Sequence, residues 1–292
     1  MKILITGANG MLAKEIKEKF EKENEIICTD VKDLDITDRE AVLEYVEKLR
    51  PECIINCAAF TAVDKAETAG EIVEKINAEG PGNLAEAAHK IDSKLVHIST
   101  DYVFGGDLDL SKDYKEEDPK APVTVYGITK LHGEEKIKSN TDKYYIFRTA
   151  WLYGIGGNNF VKTMTKLCTD RDEISVVSDQ HGSPTYAKDL SNIVYEALKK
   201  EIPYGIYNAT NQGYTTWYEF AKKIIEKQGI KCKINPVTTD KYIEMMKITQ
   251  AKRPLNSQLS KDKLIKAGIN IPEWEDGLDR YLEETKNHER GV

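Results

Sequence analysis

The chain has 292 residues, of which 40% are hydrophobic and 31% charged, and a formal net charge of −7. That length allows one large α/β unit or a domain with a smaller lobe, and the acidic balance argues against general nucleic-acid binding. No apolar run approaches the roughly 20 residues that a membrane helix needs, and the start runs directly into folded sequence with no signal-peptide layout. The five cysteines, Cys28, Cys53, Cys57, Cys168 and Cys232, are odd in number and include no C-x-x-C. They read as buried free thiols, as expected of a protein in a reducing cytoplasm.

Strands and helices alternate along the chain. "KILIT" reads as a strand, followed by a helix over 11–23 with Leu12, Ile16 and Phe20 on one stripe. "EIICTD" is a second strand, ending at Asp30, and 38–49 is a helix that Pro51 follows. "CIINCA" is a third strand, 71–90 a long helix and "SKLVHIST" a fourth strand. The polar stretch 101–123, with Pro119 and Pro122, reads as a long loop, a feature uncommon unless functional. Within it "KDYKEED" reads as a solvated segment. A helix over 126–138 and the strand "KYYIFRTA" follow. Short apolar strands between helices predict an α/β fold, a Rossmann-type doubly wound parallel sheet. Beyond about residue 158 the alternation is less regular, with helices expected near 160–167, 188–199, 217–228 and 275–285. The expected division is a cofactor-binding domain over 1–157 and a smaller, mainly substrate-binding C-terminal lobe over 158–292, some segments of which return to the first domain.

Two places carry chemistry. In "ITGANGMLA", Gly7 permits a tight turn off the first strand and Gly10 a close backbone approach to a phosphate, while Ala13 stands where a third glycine is usual. The helix that follows aims free N–H groups and a partial positive charge at a pyrophosphate. Asp30, about 20 residues on, suits ribose hydroxyls, though a turn-forming aspartate reads the same way. In "VYGITK", Tyr126 and Lys130 lie four apart, on one helical face. An ammonium beside a phenol lowers the phenol's pKa from about 10, so such a tyrosine can exchange a proton with an alkoxide. Thr100 ends the fourth strand, where α/β sheets bind ligands, with a hydroxyl able to reach the same oxygen.

At these residues the chain resembles the extended short-chain dehydrogenase/reductase family, and within it the dTDP-4-dehydrorhamnose reductase branch. The matching stretches are "ILITGANGMLA", "LDITD", "NCAAFTAVDKAE", "ISTDYVFGG", "YGITKLHGE", "RTAWLYG", "GSPTYAKDL" and "RPLNSQLS". The resemblance implies that Gly7, Gly10, Met11 and Leu12 line the pyrophosphate and that Asp30 faces the ribose. Asp35 and Ile36 would bracket the adenine, and Ala58, Ala59 and Thr61 would run along the cofactor. Tyr126 and Lys130 would be catalytic, with Thr100 tuning them. Val63, Thr100, Asp101, Tyr102, Tyr126 and Trp151 would contact a nucleotide sugar, and Arg253 its diphosphate. Val63 and Trp151 are equally at home in a core, and Arg253 on a surface.

Some members of this branch dimerise through magnesium held by glutamates. Glu15 matches one such position, but Lys188 stands at another, so no metal is expected, and the chain would be a monomer or a homodimer. The histidines at 89, 97, 132, 181 and 288 lack zinc-ligand spacing. The implied activity is reduction of dTDP-4-dehydro-L-rhamnose to dTDP-L-rhamnose by NADH, with NADPH possible, because Asp30 repels a 2′-phosphate and Lys32 partly offsets it. Another nucleotide-sugar 4-keto reductase, an epimerase or dehydratase of the same superfamily, or a non-catalytic NAD(P)-binding regulatory subunit, is the alternative.

Overall fold

The computed structural model describes residues 1–247 and 250–289. The first half contains β1 (Lys2–Thr6), α1 (Met11–Phe20), β2 (Glu25–Thr29), α2 (Arg39–Leu49), β3 (Cys53–Asn56) and α3 (Val63–Ala66). Then come α4 (Gly70–Glu74), a π-helical turn (Lys75–Glu79), α5 (Gly80–Lys90) and β4 (Lys94–Thr100). A 3₁₀ turn (Asp101–Val103), α6 (Val125–Asn140) and β5 (Tyr144–Thr149) complete the part read most regularly from sequence. The second half holds β6 (Leu152–Tyr153), α7 (Phe160–Asp170), β7 (Glu173–Val177), β8 (His181–Gly182), β9 (Thr185–Tyr186) and α8 (Ala187–Lys199). It ends with β10 (Gly205–Asn208), β11 (Thr215–Thr216), α9 (Trp217–Gln228), β12 (Lys233–Val237), α10 (Thr239–Met246), α11 (Asp262–Lys266) and α12 (Trp274–Glu289).

Six strands form one parallel sheet in the order β10-β5-β4-β3-β1-β2. Both faces are covered, which is why these strands read as continuous apolar runs. On one face α1 and α8 pack Leu12, Ala13, Ile16 and Phe20 against Leu190, Ile193 and Val194. On the other, α2 and α5 contribute Val42, Val46, Leu84, Ala85 and Ala88. The strand order reverses between β1 and β3, where Ile5 pairs with Ile55 and Thr6 with Asn56. A doubly wound sheet binds its ligands at that switch point, beyond the strands' carboxyl ends. A further apolar cluster lies outside the sheet, with Val161, Met164, Phe220, Ile224, Trp274, Leu278 and Tyr281 around the β7–β12 ladder.

Two readings of the sequence need correction. Cys28 is exposed while Cys53 and Cys168 are buried; β2 is the edge strand, so it lacks a neighbour on one side. "KDYKEED" is not a solvated segment, because Tyr114 and Glu116 are 4% and 6% exposed. Asn208 N donates to Glu116 Oε1 at 2.9 Å, and Asn208 Nδ2 donates to Tyr114 O at 2.8 Å. Charged neighbours hide this alternation, in which the Tyr114 ring stacks on Phe104 and the Glu116 carboxylate reaches the end of β10. The loop around it is tied down by Asn256 Nδ2, which reaches Leu108 O, Asp109 O and Lys112 O at 3.2, 3.2 and 3.1 Å.

Candidate active site

Beyond the carboxyl ends of β1, β3, β4 and β5 opens a cleft of about 850 Å³. Gly10, Met11, Leu12, Ala59, Thr61, Val63, Thr100, Asp101, Tyr102, Tyr126, Lys130, Trp151 and Arg253 all line it. Of the expected site residues, Gly7, Ala58, Asp30, Asp35 and Ile36 are not in its wall.

The floor at the switch point is made of backbone. Gly7 has φ +66°, and a Cβ there would lie 2.6 Å from the backbone of Ala58. The turns after β1 and β3 therefore touch, and only glycine permits it. Gly10 is the N-cap of α1, and no side chain caps the helix among the described residues. An uncapped helix start facing a cleft, behind a turn too tight for a Cβ, fits a dinucleotide pyrophosphate. Asp30 Oδ2 accepts from Asn9 N at 3.1 Å and Oδ1 from Val31 N at 2.8 Å. Asp30 thus also fixes the glycine-rich turn. Asp35 is exposed and accepts from Thr37 N at 2.9 Å, whereas Ile36 is 6% exposed in the core under α5.

The reacting end is set by α6. Thr124 caps it, accepting from Gly127 N at 3.0 Å, which places Tyr126 in the first turn. A Cβ on Gly127 would lie 2.2 Å from Tyr102 O, so this glycine lets α6 press against the turn that follows Thr100. The Tyr126 ring meets Tyr102 edge-on, 5.5 Å between centroids. Farther along, Arg148 donates to Glu134 through Nε at 2.9 Å and a terminal nitrogen at 2.6 Å, and Ser99 Oγ donates to Glu134 at 2.6 Å. This buried pair clamps α6 to β4 and β5. Asn77, in the π-helical turn, accepts from Phe60 N at 2.8 Å and donates to Phe60 O at 3.1 Å, holding the loop after β3.

The expectation that Lys130 lowers the Tyr126 pKa is not met. Burial raises it above the ordinary 10, with only the Thr100 hydroxyl pulling the other way. The reason is geometric, since the Lys130 amino group turns to Ile98 O at 2.6 Å and His97 Nε2 at 3.0 Å. A phenol held protonated is the form a proton donor requires. Thr100 Oγ1 donates to Asp101 Oδ1 at 3.0 Å, and burial pushes the Asp101 carboxyl up to about 6 against the hydroxyls of Ser257 and Thr100.

The opposite wall is made of side chains from distant segments. Trp151, in a left-handed conformation with φ 50°, stacks on Trp217 with centroids 3.7 Å apart, so one indole face is already covered. Trp217, Phe160, Gln180, Tyr242 and Ser257 also line the cleft and were not singled out from sequence. A Trp–Tyr-Glu helix start resembles any amphipathic helix and gives no signal of a pocket. Arg253 Nη2 donates to both carboxylate oxygens of Asp64, 2.8 Å to each, and Nη1 donates to the Tyr102 hydroxyl at 3.1 Å. Among the described residues no group of three His, Cys, Asp or Glu side chains is gathered to hold a metal. Lys188 pairs with Glu284 at 2.8 Å. No helix there is long and apolar enough to cross a membrane.

The fold is that of the Rossmann-type NAD(P)-binding enzymes. The chain matches the model of the RmlD substrate binding domain family over residues 1–287 and belongs to that family. It is 40% identical to the spore coat polysaccharide biosynthesis protein SpsK of Bacillus subtilis, covering 97% of each chain. Its fold superposes on a dTDP-4-dehydrorhamnose reductase from Clostridium acetobutylicum with a TM-score of 0.93 and 44% identity, covering 98% of this chain and 100% of that one. The reductase from Bacillus anthracis, in complex with NADP, gives a TM-score of 0.91 and 43% identity over 98% of this chain and 100% of that one.

Proposed function

We propose that the chain is an NAD(P)H-dependent reductase that converts dTDP-4-dehydro-L-rhamnose to dTDP-L-rhamnose, the last step of dTDP-rhamnose synthesis. The observation that carries this reading is the meeting of Thr100, Tyr126 and Lys130 with the uncapped start of α1 in one cleft. A reduced nicotinamide supplies hydride when bound. Gly7, Gly10, Met11 and Leu12 hold the pyrophosphate, Asp30 the adenosine ribose, and Ala58, Ala59 and Thr61 border the rest, whereas Asp35 and Ile36, outside the cleft wall and with Ile36 in the core under α5, are assigned to the adenine by the resemblance alone.

Tyr126 gives its proton to the oxygen at carbon 4, and burial keeps that proton in place until it is needed. Thr100 orients near the same oxygen. Val63, Asp101, Tyr102 and Trp151 border the deoxysugar, and Arg253 exchanges Asp64 for the diphosphate. Asp64 is half exposed, so this exchange costs little. Residues 158–292 mainly wall the sugar nucleotide, while α8 and β10 complete the cofactor-binding layer. Asp30 favours NADH, with NADPH still usable because Lys32 lies two residues on.

The test is oxidation of NADH and of NADPH against a panel of nucleotide-linked 4-keto sugars. Stoichiometric oxidation with dTDP-4-dehydro-L-rhamnose supports the proposal. Turnover without net oxidation assigns an epimerase or dehydratase, and oxidation with none of the panel removes the reductase reading. A clear NADPH preference removes Asp30 from the ribose.

A further inference from the structure

One hydroxyl in the cleft wall has no use in the proposed chemistry and no partner in the fold. Thr149 is the last residue of β5, lines the cleft and is 8% exposed. Its Oγ1 is buried without a hydrogen-bond partner among the described residues. Buried polar groups are paired as a rule, so a hydroxyl left unpaired in the wall of a cleft calls for a polar group that a ligand brings. No bond holds this hydroxyl, so it is free to turn about χ1 toward such a group.

The fold fixes which way Thr149 faces. Successive side chains of a strand alternate between the two faces of a sheet. In β5, Tyr145 and Phe147 pack in one cluster with Leu12, Ala13 and Ile16 of α1, while Ile146 packs with Val42 and Leu84 on the opposite face. Thr149 therefore faces the α1 side. Ser99 and Arg148 turn to the other side, where both bind Glu134. Thr149 is level with Thr100, its partner in the β4–β5 register, and the Thr100 hydroxyl bonds the Tyr126 phenol. Leu12, Ala13, Cys57 and Ile98 line the cleft and belong to the apolar cluster of this same face.

We propose that Thr149 is a cofactor-binding residue whose hydroxyl takes the carboxamide of a nicotinamide ring. The inference deepens the reductase reading and rests on it for the cofactor. Along the sheet the strands run β1, β3, β4, β5. A dinucleotide whose pyrophosphate meets the start of α1 extends from β1 toward Thr100 and Tyr126 on its way to the reacting carbon, and β5 with Thr149 is next in that direction. A nicotinamide ring is flat, and its carboxamide is its polar substituent, which matches an apolar face carrying one unpaired hydroxyl. A carboxamide both donates and accepts, and so does a hydroxyl, so the bond closes in either sense. A sugar hydroxyl offers similar chemistry. However, the residues proposed for the sugar, Val63, Asp101, Tyr102, Trp151 and Arg253, all lie beyond the strand ends, whereas Thr149 is still within the sheet.

The test is calorimetric titration of the natural full-length chain and of Thr149→Val with NADH and with ADP-ribose. ADP-ribose carries the same adenosine, pyrophosphate and second ribose but no nicotinamide, and valine keeps the shape of threonine without its hydroxyl. The inference expects NADH to bind Thr149→Val about tenfold more weakly, ADP-ribose to stay within about twofold, and Thr149→Ser to restore NADH binding to within about threefold of the natural chain. The melting temperature of Thr149→Val should be unchanged or raised, because the hydroxyl it removes makes no bond in the fold. Equal losses for the two ligands overturn the inference. A loss confined to dTDP-L-rhamnose also overturns it, since the hydroxyl then belongs to the sugar. NADH affinity that Thr149→Val leaves unchanged overturns this inference alone, whereas no NADH binding by the natural chain overturns the reductase reading with it. Should Thr149→Val fail to fold, Thr149→Ala gives the same comparison.

Discussion

The two walls of the cleft are built from different materials. The side proposed for the cofactor is backbone, with one turn pressed against another at Gly7 and an uncapped helix start at Gly10. Its geometry is fixed by contacts that no rotamer change relieves. The side proposed for the sugar is made of side chains on segments far apart in sequence, where a tryptophan pair, Tyr242 and the Arg253–Asp64 bridge meet. A dinucleotide presents the same diphosphate every time, so a rigid backbone cradle suits it. A side-chain wall can be retuned for a different sugar without disturbing that cradle.

The contrast predicts where substitutions act. The rigid side depends most on the buried Arg148–Glu134 pair that clamps α6. Glu134→Ala leaves the guanidinium buried without its carboxylate and should cost about 3–5 kcal/mol. Chemical denaturation that finds a loss below about 1 kcal/mol would remove the clamp. Asp101→Asn works in the opposite sense. The carboxyl titrates near 6 in the fold, above its ordinary 3.8, so it favours the folded state fully only below about pH 4 and loses that contribution as pH rises through 6. The amide should stabilise the protein by about 2–3 kcal/mol at pH 7 and by nothing at pH 4. Melting temperatures across that range check both halves, and an equal shift at the two pH values contradicts the assignment.

Gly7→Ala sharpens the contrast further. A Cβ 2.6 Å from backbone, at φ +66°, should weaken NADH binding by about tenfold or more, because neither turn can move alone. Fluorescence titration with NADH reads this, and unchanged affinity would place the dinucleotide elsewhere. The smallest effect belongs to the other wall. Trp217→Ala removes the support of Trp151 and should weaken dTDP-sugar binding by roughly tenfold while leaving NADH affinity within about twofold. Calorimetry with dTDP-L-rhamnose distinguishes the two walls, and equal losses for both ligands would dissolve the distinction.

The same division explains what could be read from the sequence. Strand–Gly–helix spacing and Tyr126/Lys130 spacing are local patterns, and both land where the pattern requires. The regular strands of the first half were legible because a doubly covered sheet writes itself as apolar runs. What was hidden joins residues far apart. Glu134 binds Ser99 and Arg148, Asn256 ties a loop almost 150 residues earlier, and His97 meets Lys130 across 33 residues. No local period announces such pairings. Trp217 begins an ordinary amphipathic helix, and only the fold brings it onto Trp151. The lowered phenol expected at Tyr126 failed for the same reason, since helical spacing gave a shared face but not the direction in which the lysine turns.

The central claim is that Tyr126 gives the proton during reduction at carbon 4. Single-turnover oxidation of bound NADH by dTDP-4-dehydro-L-rhamnose tests it most directly, comparing the natural chain with Tyr126→Phe. The account predicts a fall of about a hundred- to ten-thousand-fold in the observed rate, with NADH affinity within about twofold. A Tyr126→Phe rate close to that of the natural chain, under conditions where chemistry limits, would contradict it.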